Sequence, residues 1–276
     1  MDYDALEAVF KAHPEIDSVI HFAGLKSVGE SVSLPLLYYH NNLTGTFNLC
    51  NLMIKYNVNR IVFSSSATVY GNPQSLPITE NFSVGGTTNP YGTTKLMCER
   101  ILQDLQVSDN EWGVCLLRYF NPIGGHASGL LGEEPNGIPN NLMPYIVKVA
   151  VGELPKLNVF GDDYPTKDGT GVRDYIHVVD LAKGHVCSLK KLLKENGVHI
   201  YNLGTGNGFS VLELVKTFIE VNGVDVPYVI SPRRDGDIAA CYADASKAKE
   251  ELGWSAEKTV VDMCRDSWNF VKANKK

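Results

Sequence analysis

The sequence predicts an α/β fold, with a doubly wound parallel sheet and a smaller mixed α/β lobe that binds substrate. Short β-branched and aromatic runs at 17–24, 60–63 and 112–121 are typical of buried parallel strands. Longer helical patterns at 35–57 and 91–106 alternate with these runs. Each strand run ends in small or polar residues, and the carboxyl ends of strands are where open α/β sheets bind their ligands.

The composition is that of an ordinary globular protein of 276 residues, 44% hydrophobic and 20% charged. This length can bury a sizeable core and a second lobe. A net charge of −6 argues against a general nucleic-acid surface. The sequence shows no secretory or membrane segment, and its 6 cysteines lack Cys-x-x-Cys spacing. We therefore predict a cytoplasmic protein with reduced cysteines and with no bound metal, nucleic acid or membrane.

The candidate catalytic residues follow the strand run at 60–63. Ser66 closes a row of three serines at the end of this run. Tyr91 and Lys95 follow Pro90, a plausible helix start, and their spacing of four puts them on one face of the first turn. An adjacent ammonium stabilises a phenolate, so we expect a lowered pKa that makes Tyr91 a base near neutrality. The pair alone is weak evidence, because such spacings also arise by chance on exposed helices.

The surrounding motifs strengthen this interpretation. The serines at 64–66, Ala-Thr-Val-Tyr-Gly at 67–71 and Pro-Tyr-Gly-Thr-Thr-Lys at 90–95 together resemble the extended short-chain dehydrogenase/reductase family. In that family a serine or threonine, a tyrosine and a lysine form the catalytic set. The resemblance therefore implies a Rossmann-like fold, NAD as cofactor, and catalytic roles for Ser66, Tyr91 and Lys95.

The segment at 21–26 indicates where the cofactor binds. His-Phe-Ala-Gly-Leu-Lys at 21–26 resembles the part of the UDP-hexose 4-epimerases that lies along NAD. Without the resemblance, Lys26 is a loop cation, Asn41 a solvated helix residue and Phe120 a core aromatic. With it, the expected NAD contacts are Phe22, Ala23, Gly24, Lys26, Asn41, Ser64, Tyr91, Lys95 and Phe120.

The substrate lobe begins beyond Pro122, where Gly- and Pro-rich loops mark a boundary. We predict an NAD-binding domain of residues 1–121 and 175–204 and a nucleotide-sugar lobe of residues 122–174 and 205–276. Phe160 offers a face for a pyrimidine, and Arg173 offers a fork for phosphate. The resemblance implies UDP-sugar contacts by Lys26, Ser66, Tyr91, Asn121, Asn140, Asn141, Leu142, Asn158, Val159, Phe160, Arg173, Tyr175, Arg234, Asp237 and Cys241.

The implied activity is interconversion of UDP-glucose and UDP-galactose by transient oxidation at carbon 4 through a 4-keto sugar. Cys241 stands where several family members carry tyrosine, which leaves room for N-acetylated UDP-sugars as well. A 4,6-dehydratase is an alternative, but family dehydratases carry Asp-Glu where this chain has Ala67 and Thr68. A non-catalytic nucleotide-sugar-binding protein is a second alternative, which Ser66, Tyr91 and Lys95 argue against.

Two further expectations concern the strand at 18–23 and the long helix. No Gly-x-x-Gly-x-x-Gly turn precedes that strand, although the family's sheet pairs it with the strand that carries this turn. We therefore expect an edge strand at 18–23, and weak NAD binding and low turnover by these residues alone. The helix at 35–57 has apolar positions on more than one stripe, which predicts a homodimer through helices 35–57 and 91–106.

Overall fold

A computed structural model describes residues 1–234 and 237–274 of the chain. The helices, in chain order, are α1 Tyr3–Ala12, α2 Val28–Ser33, α3 Pro35–Lys55, α4 Pro90–Ser108, α5 Leu142–Ala150, α6 Val178–Leu192, α7 Val211–Asn222, α8 Ser246–Leu252 and α9 Val260–Asn274. The strands are β1 Val19–His21, β2 Arg60–Ser66, β3 Gly113–Tyr119, β4 Asn121–Ile123, β5 Leu157–Phe160, β6 Val172–His177, β7 Gly197–Leu203, β8 Gly208–Ser210, β9 Tyr228–Ser231 and β10 Ala240–Cys241. A 3-10 turn, Ala67–Tyr70, follows β2.

The first compact unit comprises residues 1–72, 80–119 and 185–202. Its sheet has the order β1-β2-β3-β7, in which β2 runs parallel to both of its neighbours. Helices connect these parallel strands, as crossover connections require. The predicted α/β class with parallel strands is therefore confirmed. In the described part of the chain β1 pairs with β2 alone, so the strand at 18–23 is an edge strand as expected.

The core of this unit lies between its sheet and the helices α1, α3 and α4. Leu52 and Met53 of α3, Ile61 of β2 and Leu102 of α4 are completely buried in one cluster. Replacing such a residue by alanine typically costs about 2–5 kcal/mol, because a cavity remains. These contacts hold the end of β2 and the start of α4 in a rigid frame.

The second compact unit comprises residues 73–79, 120–184 and those from 203 onward. Strand β6 is central, running parallel to β4 and β10 and antiparallel to β8, while β5 and β9 form a separate parallel pair. Its core joins α5, α7 and α9 through buried side chains such as Ile146, Phe218 and Met263. The unit is therefore a mixed α/β lobe, as the sequence predicts.

The two units divide the chain differently from the predicted domain boundaries, because residues 73–79, 120–121, 175–184 and 203–204 all belong to the second unit. Residues 175–184 group with the second unit, because β6 pairs with β4, β8 and β10 there. Residues 73–79 also group with it: the Ile78 N–H donates to the Tyr242 oxygen at 2.9 Å, and the Asp244 N–H donates to the Ile78 oxygen at 2.7 Å. Nothing in the local sequence of this short loop indicates that pairing.

Among residues 1–234 and 237–274, no helix is both long enough and apolar enough to cross a lipid bilayer.

Candidate active site

Ser66 is the last residue of β2 and the N-cap of the 3-10 turn that follows. Its Oγ accepts hydrogen bonds from the Thr68 N–H at 3.2 Å and from the Thr68 hydroxyl at 3.0 Å. A serine oxygen has two lone pairs and one proton, so these two bonds leave the hydroxyl proton for another partner. The Tyr91 phenol is nearby, and hydrogen bonding to Ser66 acts to lower its pKa.

The start of α4 places Tyr91 beside Ser66. Asn89 caps the helix by accepting from the Gly92 N–H at 2.8 Å, and Pro90 occupies the first turn. A Cβ at Gly92 would lie 3.1 Å from both Cβ and Oγ1 of Thr68, tighter than ordinary contact. Any larger residue would therefore require Thr68 or the helix to shift by a few tenths of an ångström. Sequence reasoning missed this role of Gly92.

Lys95 is buried and anchored to the neighbouring strand. Its Nζ donates to the main-chain oxygen of Ser64 at 2.6 Å and lies 4.9 Å from the ring centroid of Phe63. Burial lowers the pKa of Lys95 to about 8. The catalytic lysine of the sequence prediction is therefore a desolvated ammonium that ties α4 to the end of β2.

The expected effect of Lys95 on Tyr91 needs correction. Burial raises the pKa of Tyr91 above its ordinary value, and the hydrogen bond from Ser66 opposes that rise. The Lys95 ammonium lies 5.9 Å from the centroid of the Tyr91 ring and donates to Ser64 instead. In this arrangement Ser66, and not Lys95, is the group that stabilises the phenolate.

The predicted cofactor segment lies next to Lys95. An added Cβ at Gly24 would lie 3.2 Å from Oδ1 of Asn42 and 3.8 Å from Nζ of Lys95. Phe22, Ala23 and Gly24 are exposed, and Gly24 lies close to the Lys95 ammonium. This exposed surface, here called the cradle, leaves room for a flat ring to approach the backbone at Gly24.

Asn42 holds that segment in place. Its side chain accepts from the Leu25 N–H at 2.8 Å and donates to the Leu25 oxygen at 3.1 Å and to Thr94 Oγ1 at 2.9 Å. Asn41, the residue named from the resemblance, is half-buried and donates to Oδ1 of Asn42 at 3.1 Å. Asn42 is thus a buried link between the segment at 22–26 and α4 that sequence reasoning did not single out.

The remaining predicted cofactor residues lie in different surroundings. Lys26 is exposed, and Ser64 is buried at the end of β2. The ring of Phe22 is 56% exposed and lies 4.5 Å from the ring of His185. Phe120 is buried and groups with the second unit, where its N–H donates to the Leu203 oxygen at 3.2 Å.

In the second unit, two arginines and a carboxylate come together. The Arg234 Nε donates to Asp237 at 2.8 Å, and its guanidinium lies 4.8 Å from the ring centroid of Phe160. Arg173 Nη2 lies 3.8 Å from the other oxygen of Asp237. Arg173 is held by donating from Nη1 to the main-chain oxygens of Val172 and Ile238, each at 2.9 Å. This cluster offers two cations and an aromatic face to a nucleotide.

Cys241 lies beside Arg173, because β10 pairs with β6 in a register that sets these two residues opposite each other. Burial raises the pKa of the Cys241 thiol to about 11, so it is neutral at physiological pH. The neighbouring Asp174 accepts from the N–H groups of Thr205, Gly206 and Ala243 and from the Thr205 hydroxyl. This carboxylate, which sequence reasoning missed, holds the turn after β7 to β6.

The other predicted substrate residues differ in exposure. Those available to a ligand are exposed or half-buried: Asn121, Asn140, Asn141, Leu142 and Asn158. Val159 and Tyr175 are instead buried in the core of the second unit. Their side chains pack internally, so only their main chain could contact a ligand.

Comparison with known proteins identifies the family of this chain. A family model described as GDP-mannose 4,6 dehydratase matches residues 1–267. The UDP-glucose 4-epimerase of Bacillus subtilis is 65% identical over 274 residues, which are 99% of this chain and 80% of that protein.

Two solved structures are equally close in fold. The UDP-glucose 4-epimerase of Bifidobacterium longum, in complex with NAD+ and UDP, has a TM-score of 0.95 and 61% identity, over 99% of this chain and 81% of that one. The enzyme of Stenotrophomonas maltophila, with bound NAD and formylated UDP-arabinopyranose, has a TM-score of 0.95 and 52% identity, over 99% of this chain and 80% of that one. The chain therefore belongs to the family that the dehydratase model describes, and its relatives place it among the UDP-glucose 4-epimerases of the extended short-chain dehydrogenase/reductase family.

Proposed function

We propose that this protein is an NAD-dependent UDP-glucose 4-epimerase, an isomerase of galactose metabolism. The observation that carries the proposal is the placement of Tyr91 and the buried Lys95, on the first turns of α4, at the end of the strand that carries Ser66. The relatives that cover almost the whole chain carry the same name. The substrate is a UDP-hexose, and carbon 4 of the sugar is the reacting centre.

Tyr91 exchanges a proton with the oxygen on carbon 4. The phenolate accepts the proton of the 4-hydroxyl when the sugar is oxidised, and the resulting phenol returns a proton when the keto sugar is reduced. Burial raises the pKa of Tyr91, which favours that return. The Ser66 hydrogen bond favours transfer in the other direction, because it stabilises the phenolate. When bound, NAD would supply the reversible hydride acceptor for carbon 4, so that the sugar passes through a 4-keto form.

The residues that would hold NAD are those bordering the cradle beside Gly24. We assign this role to Phe22, Ala23, Gly24 and Lys26, with Lys95 supplying an ammonium to the nearby ribose. Asn41, Ser64 and Phe120 remain assignments from the resemblance. The support from this chain is the open space at Gly24. The side chain of any larger residue there would fill part of that space, close to Asn42 and Lys95.

The UDP portion would bind to the second unit. Arg173 and Arg234 would pair with the diphosphate, Asp237 with ribose hydroxyls and Phe160 with the uracil ring. The supporting observation is that both arginines surround one carboxylate, Asp237, beside an exposed aromatic face. The remaining contacts are assigned to Asn121, Asn140, Asn141, Leu142, Asn158, Cys241 and the main chain at Val159 and Tyr175.

A 4,6-dehydratase is the second candidate, because the matching family model carries that name. Dehydration needs a further acid and base beside the reacting sugar. This chain has Ala67 and Thr68 after Ser66, and the Thr68 hydroxyl donates to Ser66. Epimerisation, which needs the Ser66–Tyr91 pair alone for proton transfer, is therefore the better-supported reaction.

Conversion of UDP-galactose by the purified protein tests the proposal. We expect UDP-glucose as product, formed until the two sugars reach equilibrium and without loss of water. Formation of a 4-keto-6-deoxy sugar would favour the dehydratase instead. Absence of both products, with UDP-sugar still bound, would support the non-catalytic alternative.

We also propose a homodimer through α3 and α4. Leu36 of α3 and Val107 of α4 are 80% and 82% exposed, and Leu37, Phe47, Ile54 and Met97 on the same two helices are also exposed. Apolar patches of this kind mark interaction surfaces. A molar mass twice that of the chain in light scattering would support the dimer. The cytoplasmic location expected from the sequence likewise remains a proposal.

A further inference from the structure

A fully buried ion pair lies beneath the catalytic set of the first unit. Arg118 of β3 donates to Glu99 of α4 from Nε at 3.0 Å and from Nη2 at 2.8 Å, one bond to each carboxylate oxygen. Glu99 is 0% exposed and Arg118 is 3% exposed. A bidentate pair of this kind combines strong hydrogen bonds with a fixed geometry.

The pair also reaches the strand that carries Ser66. Ser65, the neighbour of Ser66 on β2, donates from its hydroxyl to Oε1 of Glu99 at 2.5 Å. Ser65 also lies opposite Arg118 in the register of β2 and β3. Consecutive side chains on a strand point to opposite faces, so Ser65 and Ser66 face opposite sides of β2. Tying Ser65 to Glu99 therefore restrains the position of Ser66 on the other face.

On α4 the same carboxylate restrains the other two catalytic residues. Glu99 lies four residues after Lys95 and eight after Tyr91, so all three share one face of the helix. Arg118 also donates from Nη1 to the Tyr70 hydroxyl at 3.0 Å, which fixes the end of the 3-10 turn. Tyr70 in turn donates to Asn202 of β7 at 2.7 Å. One buried network thus joins β2, α4, β3, β7 and the turn that begins at Ser66.

Folding stability alone does not explain why this buried network is charged. Two charges lose their hydration when buried, and well-packed apolar residues of similar size are often equally or more stable. An apolar cluster cannot supply directional bonds. Such bonds fix the position of a strand relative to a neighbouring helix. Here those directional bonds act between the strand of Ser66 and the helix of Tyr91 and Lys95.

We propose that Glu99 is a positioning residue for catalysis, acting with Ser65 and Arg118 to hold Ser66 beside Tyr91. This inference rests on the proposed function, because it assigns the network to the proton transfer at Tyr91. Loosening the network weakens the bond from Ser66 to Tyr91 and leaves the binding of UDP-sugar in the second unit unchanged.

Ser65→Ala is the primary test, because it removes the strand-to-carboxylate bond and leaves the ion pair intact. We expect kcat for UDP-galactose to fall on the order of tenfold with an unchanged KM, since small misplacements of reacting groups have large effects. The acidic limb of the pH–rate profile should move to higher pH, because Tyr91 loses part of the Ser66 bond. Ser267→Ala is the matched control: this buried serine donates to the Met263 oxygen at 2.8 Å within α9.

A second variant separates the effect of the network on the position of Ser66 from its effect on folding stability. Ser65→Ala/Glu99→Leu/Arg118→Met replaces the polar core of the network by apolar groups. We expect an unfolding temperature close to that of the parent together with the same loss of kcat. Titration of Tyr91, measured as the ultraviolet difference from Tyr91→Phe, should shift to higher pH in both variants. This titration needs no turnover, so it tests the inference even if the parent protein does not epimerise UDP-galactose.

The inference is overturned if Ser65→Ala matches Ser267→Ala in kcat, in the pH–rate profile and in the Tyr91 titration. It is also overturned if kcat falls only in proportion to a rise in KM or to the unfolded fraction. An inactive parent with a shifted Tyr91 titration would instead contradict the proposed function and support the positioning role.

Discussion

The Lys95 ammonium donates a 2.6 Å hydrogen bond to the main-chain oxygen of Ser64, a carbonyl on the strand that ends at Ser66. This bond joins the catalytic helix to the catalytic strand directly. The causes of the pKa shift at Tyr91 are burial, which raises the pKa, and hydrogen bonding to Ser66, which lowers it. Lys95 therefore anchors the helix, whereas stabilisation of the phenolate, which the sequence assigned to the lysine, comes from Ser66.

Tyr91→Phe should nearly abolish epimerisation. The change removes the proton-transfer group, which typically contributes about 10²–10⁴-fold to the rate, and leaves the ring in place. The measurement is kcat for UDP-galactose, with UDP affinity as the control for binding. Tyr228→Phe, at an exposed position on β9, should behave like the parent. A rate within threefold of the parent would refute the role of Tyr91.

Gly92→Ala should lower kcat by more than any loss of folding stability explains. A Cβ at position 92 would lie 3.1 Å from Thr68 and push the start of α4 away from the turn that carries Ser66. Gly45→Ala in α3 is the control, because a Cβ there meets nothing within 4 Å. We expect kcat to fall on the order of tenfold in Gly92→Ala and to stay unchanged in Gly45→Ala. Equal activity in the two variants would show that the close approach is unimportant.

His21 should make stability depend on pH between about 4 and 6.5. Burial, with a smaller effect of Lys95, lowers the pKa of His21 to about 4. The unfolded chain then binds a proton that the folded chain rejects, so the free energy of unfolding rises with pH across this window. The full effect is roughly 3 kcal/mol, from 1.36 kcal/mol per pKa unit.

Urea unfolding of the parent and of His21→Asn, at pH values of about 4.5, 5.5 and 6.5, measures this dependence. These values span the interval between the folded-state and unfolded-state pKa of His21. The parent should lose more stability on acidification than the variant. A parallel pH dependence in the two proteins would mean that His21 is not the group responsible.

Cys241→Tyr should impair turnover of UDP-N-acetylglucosamine far more than that of UDP-glucose. Cys241 is half-buried opposite Arg173, the arginine assigned to the diphosphate. A tyrosine there would take up space that an N-acetyl group needs, whereas a hydroxyl needs less. The ratio of kcat/KM for the two substrates is the quantity to compare. Equal losses on both substrates would remove Cys241 from any role in substrate selection.

The sequence alone determined the α/β class and the extent of most elements, and it named a candidate catalytic set. These properties are encoded locally. Continuous β-branched and aromatic runs predicted β2 and β3, and the spacing of Tyr91 and Lys95 together with Pro90 predicted the start of α4. Edge placement of β1 also followed from the order of strands that the resemblance implied.

Only the tertiary structure decided which partners these residues have. Glu7 of α1 is buried, and it accepts hydrogen bonds from Lys55 and Tyr56, which lie 48 and 49 positions further along the chain. In the sequence, Ser65 is one of three consecutive serines. Only the packing of the fold brings it to Glu99, 34 positions further along the chain.

The direction of the pKa shift at Tyr91 depended on the same packing. Burial raises that pKa, whereas spacing alone suggested that the lysine would lower it. Hydrogen bonds between distant residues and the loss of hydration on burial exist only in the folded chain, so no local pattern in the sequence carries them.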